Sequence, residues 1–273
     1  MKPPVERDRQ ARYIYGVIPR IKKDNFGPIG IMGNTVYSIS YKELSALVHD
    51  CPSEPYQGDE EEVKEWVSAH ATVVDAAWAE ADTVLPMRFD VIVKGDEERS
   101  AEENVRKWLE EGYETLKAKL EEFRDKVELG VQILWDPAII TQRITAANEE
   151  IKGLLTEMAG KSPGIAYFYQ HKIAEAVKRE MEKRAAEDYR NIYEELRAHA
   201  VDTHINKAKK VQDKQMIMNL TLLVEREKVH PLGEILGRVR EEEGVEVRFT
   251  GPWPPYTFAA KIAAPGEETE KRG

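Results

Sequence analysis

The sequence predicts an α+β protein of two domains. Along the chain the apolar residues switch repeatedly between a spacing of two, which suits a half-buried strand, and a spacing near 3.6, which suits an amphipathic helix. Proline- and glycine-rich breaks separate these stretches. A length of 273 residues with 41% hydrophobic content is enough for two modest cores. The expected N-terminal α+β domain covers 1–124, a small mixed sheet with two helices. The expected C-terminal α+β domain covers 125–264, ferredoxin-like with a long helix and an added helical segment, and 265–273 is expected to be a disordered tail.

Residues 12–18, RYIYGVI, are β-branched and aromatic and end at Pro19, the pattern of a first strand. A loop punctuated by Gly27, Gly30 and Gly33 follows, then two short strands at Thr35 to Ile39 and Leu44 to Val48. Asp59 is placed to cap a helix whose apolar stripe is Val63, Trp66, Val67, Val73, Val74, Ala77 and Trp78. TVLPMRF, Thr83 to Phe89, returns to alternation, and Pro86 marks it as an edge strand or a bulge. Ser100 begins a second helix along Ala101, Val105, Leu109, Leu116 and Leu120.

The second domain opens on the alternating run Val127 to Trp135. A helical region after Pro137 runs to Gly160, and Ser162 with Pro163 starts a long helix reaching about His199. Ile165, Tyr169, Ile173, Ala176, Met181, Ile192 and Leu196 form its apolar stripe. A short strand within 204–210, a strand from Met216 to Val224, a helix along Leu232, Ile235, Leu236 and Val239, and a strand from Val245 to Thr250 complete the half. Strand, helix, strand, strand, helix, strand is the ferredoxin-like order.

The chain then enters GPWPPYTF, Gly251 to Phe258, where three prolines stiffen an aromatic segment. Two readings stay open for Trp253, Tyr256 and Phe258, plugging the second domain's core or forming an aromatic docking surface for a partner, and the two combine if Trp253 turns inward and Tyr256 is exposed.

Composition narrows the function classes. Fifty acidic against 40 basic residues give a net charge of -10, which disfavours a general nucleic-acid or anionic-membrane binder. No apolar run approaches the roughly 18 residues a membrane span needs, and MKPPVERDRQ lacks a signal peptide's apolar core, so a cytoplasmic protein is expected. The single Cys51 excludes an intramolecular disulfide or a cysteine-rich zinc site. The glycines of GxxGxxG lack the Lys-Ser/Thr of a phosphate loop, the histidines lack HExxH spacing, and no GxSxG surrounds a serine. Catalytic residues, cofactor and metal are therefore all expected to be absent, with no small-molecule ligand.

His70 interrupts the apolar stripe of its helix, and Arg88 lies on the strand that follows. The pair is expected to belong to a buried polar network. Its chemical alternative is a general base beside an anion-binding arginine, which needs a second group the sequence does not supply. Tyr13 and Tyr15 offer a further alternative, a pair of rings that could stack RNA bases on a ferredoxin-like sheet.

RYIYGVIP, His70 paired with TVLPMRF (Pro86, Arg88 and Phe89 within it), and VRFTGPWPPYTF (Gly251 and Pro252 within it) together resemble the gas vesicle protein F/L family, in the family's order and across nearly the whole chain. Asp90 stands where the family tends to have glycine, and Leu129 where an aromatic often follows the glutamate. The resemblance implies a non-enzymatic, two-domain accessory or minor structural component of gas vesicle assembly, associated with the vesicle. It implies contact with the hydrophobic major shell protein, chaperone-like limitation of that protein's aggregation during nucleation, and binding of other gas vesicle accessory proteins.

Overall fold

The structure, a computed structural model, describes residues 11–260 together with Ala264 and Pro265. The tail expected at 265–273 lies, apart from Pro265, outside the described residues. The fold is mixed α and β, with two sheets and a set of helices. It divides into two compact units: one holds the described residues up to Glu128 and from Trp253 onward, the other is Leu129–Pro252. The chain from Trp253 thus rejoins the first unit, where 125–264 was expected to stay together in the second domain.

In the first unit β1 (Ala11–Pro19), β2 (Asn25–Gly27), β3 (Val36–Tyr41), β4 (Leu44–Cys51) and β5 (Leu85–Pro86) form a sheet in the order β2-β3-β4-β1-β5, and β6 (Ile92–Val93) also pairs with β1. Tyr13, Ile14, Tyr15, Val17 and Ile18 of β1 are all fully buried, as expected of a strand covered on both faces. β1 runs antiparallel to β4 from Ala11↔Cys51 to Pro19↔Leu44, with a bulge between Ile14 and Gly16. The strand expected from Thr83 to Phe89 shrinks to two residues, Leu85 opposite Val17 and Pro86 opposite Gly16. Met87 N–H still donates to the Tyr15 carbonyl at 2.9 Å, and the chain then turns at Asp90, φ 69°. Pairing with β1 resumes at Ile92 and Val93. Pro86 is at an edge, as the sequence suggested, yet it is buried, and α8 (Tyr256–Ala259) packs against β5.

Helix α1 (Glu60–Ala81) starts on a capping box: Asp59 accepts from Glu61 and Glu62 N–H while the Glu62 carboxylate accepts from Asp59 N–H. Its buried face is His70, Val73, Val74 and Ala77, whereas Val67 faces out, 45% exposed. Ser100 and Glu103 form a second capping box. The single helix expected after Ser100 is broken at Gly112 into α2 (Ala101–Glu111) and α3 (Tyr113–Phe123). At Gly112 a Cβ would lie 3.2 Å from both Leu116 Cδ1 and the Trp108 carbonyl.

The second unit's sheet contains β7 (Lys126–Trp135), β8 (Asp202–Ile205), β9 (Gln215–Glu225) and β10 (Val245–Trp253) in the order β10-β7-β9-β8. Between β7 and β8 lie α4 (Pro137–Ala147), α5 (Glu149–Met158) and α6 (Pro163–Arg197), and α7 (Val229–Arg240) lies between β9 and β10. Asp136 caps α4 by accepting from Ala138 and Ile139 N–H, with Pro137 in the first turn. α6, at 35 residues, is about 50 Å long. Only Ala176 and Leu196 of α6 are buried, and Ile165, expected on its apolar stripe, is 50% exposed. No helix among the described residues is long and apolar enough to cross a membrane.

Gly16 sits where β1 approaches β5 most closely: a Cβ there would stand 2.8 Å from the Leu85 carbonyl oxygen. Gly16→Ala must therefore push β5 off β1, and we expect it to lower stability by ~1–3 kcal/mol in urea titration. A midpoint unchanged from the parent would contradict this packing.

Candidate functional site

The chemistry-bearing side chains of the first unit converge on β1. Tyr13 and Tyr15 alternate with Ile14, so both rings lie on one face of the strand, beside the buried face of α1. The Tyr13 hydroxyl is 2.8 Å from His70 Nδ1 and accepts from Asp90 N–H at 3.0 Å. His70 Nε2 is 3.1 Å from the Met87 carbonyl. A carbonyl can only accept, so Nε2 carries the proton, Nδ1 accepts, and Tyr13 is the donor. The Tyr15 hydroxyl is 2.8 Å from His49 Nδ1 and accepts from Ile31 N–H at 2.9 Å, and His49 Nε2 meets the Tyr56 hydroxyl at 2.9 Å. The rings also pack edge-on and tilted, Tyr13 against Tyr15, Tyr56, His70 and Phe89.

Burial sets the protonation of this cluster. Desolvation lowers both His49 and His70 to about 4, against a weak upward pull from Asp50 on His49 and from the Met87 carbonyl on His70. The Tyr13 and Tyr15 hydroxyls are pushed up, again by burial, and Cys51 is raised to about 11 for the same reason. At neutral pH the cluster is two neutral imidazoles and protonated phenols with their hydrogen bonds made. Such groups position backbone; they offer no poised base and no thiolate.

Through Tyr15 the cluster holds the glycine loop. Gly30 is required by close approach, since a Cβ would fall 2.7 Å from the Tyr15 hydroxyl and 2.7 Å from the Asn34 carbonyl. Asn34 Nδ2 donates to the Ile31 carbonyl at 2.9 Å. The loop so fixed presents Met32 at φ 55° with its side chain 74% exposed.

The residues singled out from sequence separate into different roles. His70 is buried in the network as expected, but its ring nitrogens are taken by Tyr13 and Met87, and Arg88 is exposed. Phe89 packs against the first unit's core. Tyr13 and Tyr15, weighed as RNA-stacking rings, have no exposed surface. Gly251 has φ 110° and is joined to Pro252 by a cis peptide; both are exposed in β10. Of the three C-terminal aromatics, Trp253 is 49% exposed, Phe258 is buried, and Tyr256 packs against the first unit's core, so Tyr256 and Phe258 do not extend a surface around Trp253. The Tyr256 hydroxyl is buried without a hydrogen-bond partner among the described residues, and desolvation with the nearby Asp75 and Glu128 carboxylates pushes its acidity down.

Glu128 carries a role that sequence reasoning missed. It is 8% exposed, and its carboxylate accepts from Thr257 N–H at 2.7 Å and from the Thr257 hydroxyl at 2.8 Å. This charge-assisted pair fixes the short turn of α8 against the first unit. The available signal was a glutamate standing between Val127 and Leu129, both fully buried.

In the second unit a cavity of about 410 Å³ is lined by Trp135, Ile144, Arg143, Arg184, Asp188 and Glu242. Its charges satisfy one another: Arg184 reaches Asp188 at 2.9 Å and Glu242 at 3.2 Å, and Arg143 donates to the Glu243 carbonyl at 2.6 Å. Among the described residues no cluster of three histidine, cysteine or acidic side chains is arranged to hold a metal ion.

The depressed histidines give a signed pH dependence. The unfolded chain takes up protons on His49 and His70 near 6.5, while the folded chain resists until about 4. Their contribution is thus fully present above pH 6.5 and is lost as pH falls from there to about 4, up to ~3 kcal/mol for each histidine. In His70→Gln we expect lower stability at neutral pH but a flatter decline across that interval, measured by urea denaturation at a series of pH values. An equally steep decline in the variant would remove His70 from this role.

The family model described as "Gas vesicle synthesis protein GvpL/GvpF" matches residues 11–260. Gas vesicle protein L1 of Halobacterium salinarum is 30% identical over 261 residues, 92% of this chain and 91% of that protein. Gas vesicle protein F of a Streptomyces species is 28% identical over 255 residues, 91% of this chain and 99% of that one. The crystal structure of the gas vesicle protein GvpF from Anabaena sp. PCC7120 superposes with a TM-score of 0.72 at 20% identity, covering 93% of this chain and 99% of that one. GvpF from Microcystis aeruginosa superposes with a TM-score of 0.61, also at 20% identity, covering 91% and 98%. These two establish the fold. The family match, running from the first residue of β1 to just past α8, makes this chain a member of the GvpL/GvpF family of gas vesicle proteins.

Proposed function

We propose that this protein is a non-enzymatic accessory component of gas vesicle formation, which holds the hydrophobic major shell protein and limits its aggregation during nucleation, and which also binds other accessory proteins. The observation that carries this reading is the family match over residues 11–260. The cluster on β1 supports the non-enzymatic half, because its histidines are neutral and hydrogen-bonded and its cysteine is buried. In the cell we place the protein in the cytoplasm, at the growing vesicle.

A protein that retains an aggregation-prone partner needs apolar surface that its own fold leaves uncovered. Large exposed apolar side chains occur at Met32 and Val67, at Ile165, Tyr167 and Phe168 in the first turns of α6, and at Trp253. A net charge of -10 keeps the carrier itself from associating non-specifically. Of the aromatic segment, Trp253 is the residue we assign to partner contact, with Tyr256 and Phe258 supporting it from the core side. Strand addition at Pro86 is disfavoured because that strand is buried beneath α8. We further propose that the second half is a ferredoxin-like domain. The order β10-β7-β9-β8, with helices between β7 and β8 and between β9 and β10, supports that reading.

The test is co-expression with a small hydrophobic shell protein, scoring how much of it stays in the soluble fraction bound to this chain. We expect the parent to retain it, and Trp253→Ala, with an unchanged melting temperature, to retain several-fold less. No retention by the parent would overturn the assignment, and equal retention by Trp253→Ala would remove Trp253 from the contact.

A further inference from the structure

The sheet ends among the described residues differ in length. β2 has three residues, β5 two, β8 four and β10 nine. Short strands are an ordinary way of closing an edge to unwanted pairing. β10 is the exception, and its residues from Arg248 to Trp253 are exposed.

The direction of its free backbone groups follows from one bond. The Gly244 carbonyl accepts from Asp136 N–H at 2.8 Å, just before β10 begins and just after β7 ends. With a strand period of two, Glu246, Arg248 and Thr250 also turn their N–H and C=O toward β7; Val247 and Phe249 turn theirs to the open side, as does the Val245 carbonyl, while Val245 N–H is held by the Glu242 carbonyl at 3.1 Å. The side chains divide by the same parity. The Phe249 ring lies 4.0 Å from where a Cβ of Gly233 in α7 would stand, which puts the odd positions on the helix side. Arg248 Nε donates to Glu246 at 2.7 Å on the opposite face, and both are partly exposed.

We propose that β10 pairs with β10 of a second copy of this chain, antiparallel about a two-fold axis at Val247, joining the two second-unit sheets into one. That axis sets Val247 opposite Val247 of the second copy, with their outward N–H and C=O groups matched. It sets Glu246 opposite Arg248 of the second copy, and Arg248 opposite Glu246, so that two opposite-charge cross-strand pairs form on one face. On the other face Val245 meets Phe249 of the second copy, covering a ring that is 37% exposed in the single chain. Charge and apolar complementarity thus arise from one strand under one symmetry operation, which is what selects a second copy over an unrelated strand. The pairing ends with Val245 opposite Phe249, where β10 begins. β8 has no such match: a two-fold at its centre would set Asp202 opposite Ile205.

Sedimentation equilibrium of the full chain across the micromolar range tests the proposal. We expect a monomer–dimer equilibrium for the parent, weakened about tenfold or more by Glu246→Arg, which sets arginine opposite Arg248 of the second copy. The combination Glu246→Arg with Arg248→Glu should restore the parental equilibrium. Val247→Pro removes an outward N–H and should abolish dimerisation, with helix content and melting temperature confirming that the β7 ladder is intact. A parent that stays monomeric, a Glu246→Arg variant that dimerises as well as the parent, or a double variant that fails to recover would overturn it.

Discussion

The Tyr13 hydroxyl donates to His70 at 2.8 Å and the Tyr15 hydroxyl meets His49 at 2.8 Å, in the middle of a strand buried on both faces. Everything placed around that strand is tied to these two contacts. Through His70 the first fixes α1 and the Met87 carbonyl, and through Asp90 N–H it fixes the turn that returns the chain to β6. The second fixes the glycine loop at Ile31 and the segment carrying Tyr56. A buried polar network of this kind is stable only when every member is satisfied, and burial keeps both imidazoles neutral within it. Neutral, doubly bonded histidines make a frame, and the same fact removes them as catalysts.

The C-terminal segment shows how one buried charge redirects a chain. The prolines after β10 end the strand, and Pro254 and Pro255 are buried. The Glu128 carboxylate then receives both donors of Thr257, fixing α8 in the first unit with Phe258 buried. A stiff proline-rich segment loses little entropy in such docking. Of its aromatic rings only Trp253 is left substantially in solvent, so the part of the segment from Pro254 onward contributes mainly to the molecule's own packing.

Much of this was legible in the sequence because it depends on neighbours in the chain. Asp59 and Ser100 as helix caps, the helical stripe ending in Val73, Val74 and Ala77, and the strands about Val17, Ala46 and Leu222 follow from local spacing and local hydrogen bonds. What escaped depends on partners far apart in sequence. Nothing near Tyr15 announces that its hydroxyl will meet His49 and Ile31 N–H, and nothing near Glu128 announces Thr257, 129 residues away. Alternation does not make Thr83 to Phe89 one strand, because it reports which side chains are buried and is silent on where the chain leaves the ladder, which it does after Met87 on the way to the turn at Asp90. Arg88 was paired with His70 by proximity in sequence, whereas the strand's own carbonyl at Met87 took that place.

The central claim is that His49 of β4 and His70 of α1, bonded to the tyrosines of β1, are neutral structural members. Long-range proton–nitrogen correlation spectra of the imidazoles, recorded as the pH is lowered from neutrality to about 5, test it directly. His70 should keep the nitrogen shifts of a single neutral tautomer protonated at Nε2, and His49 should likewise stay neutral. Titration of His70 near 6.5, or rapid exchange between its tautomers, would contradict a satisfied buried network and would reopen His70 as a chemically active group.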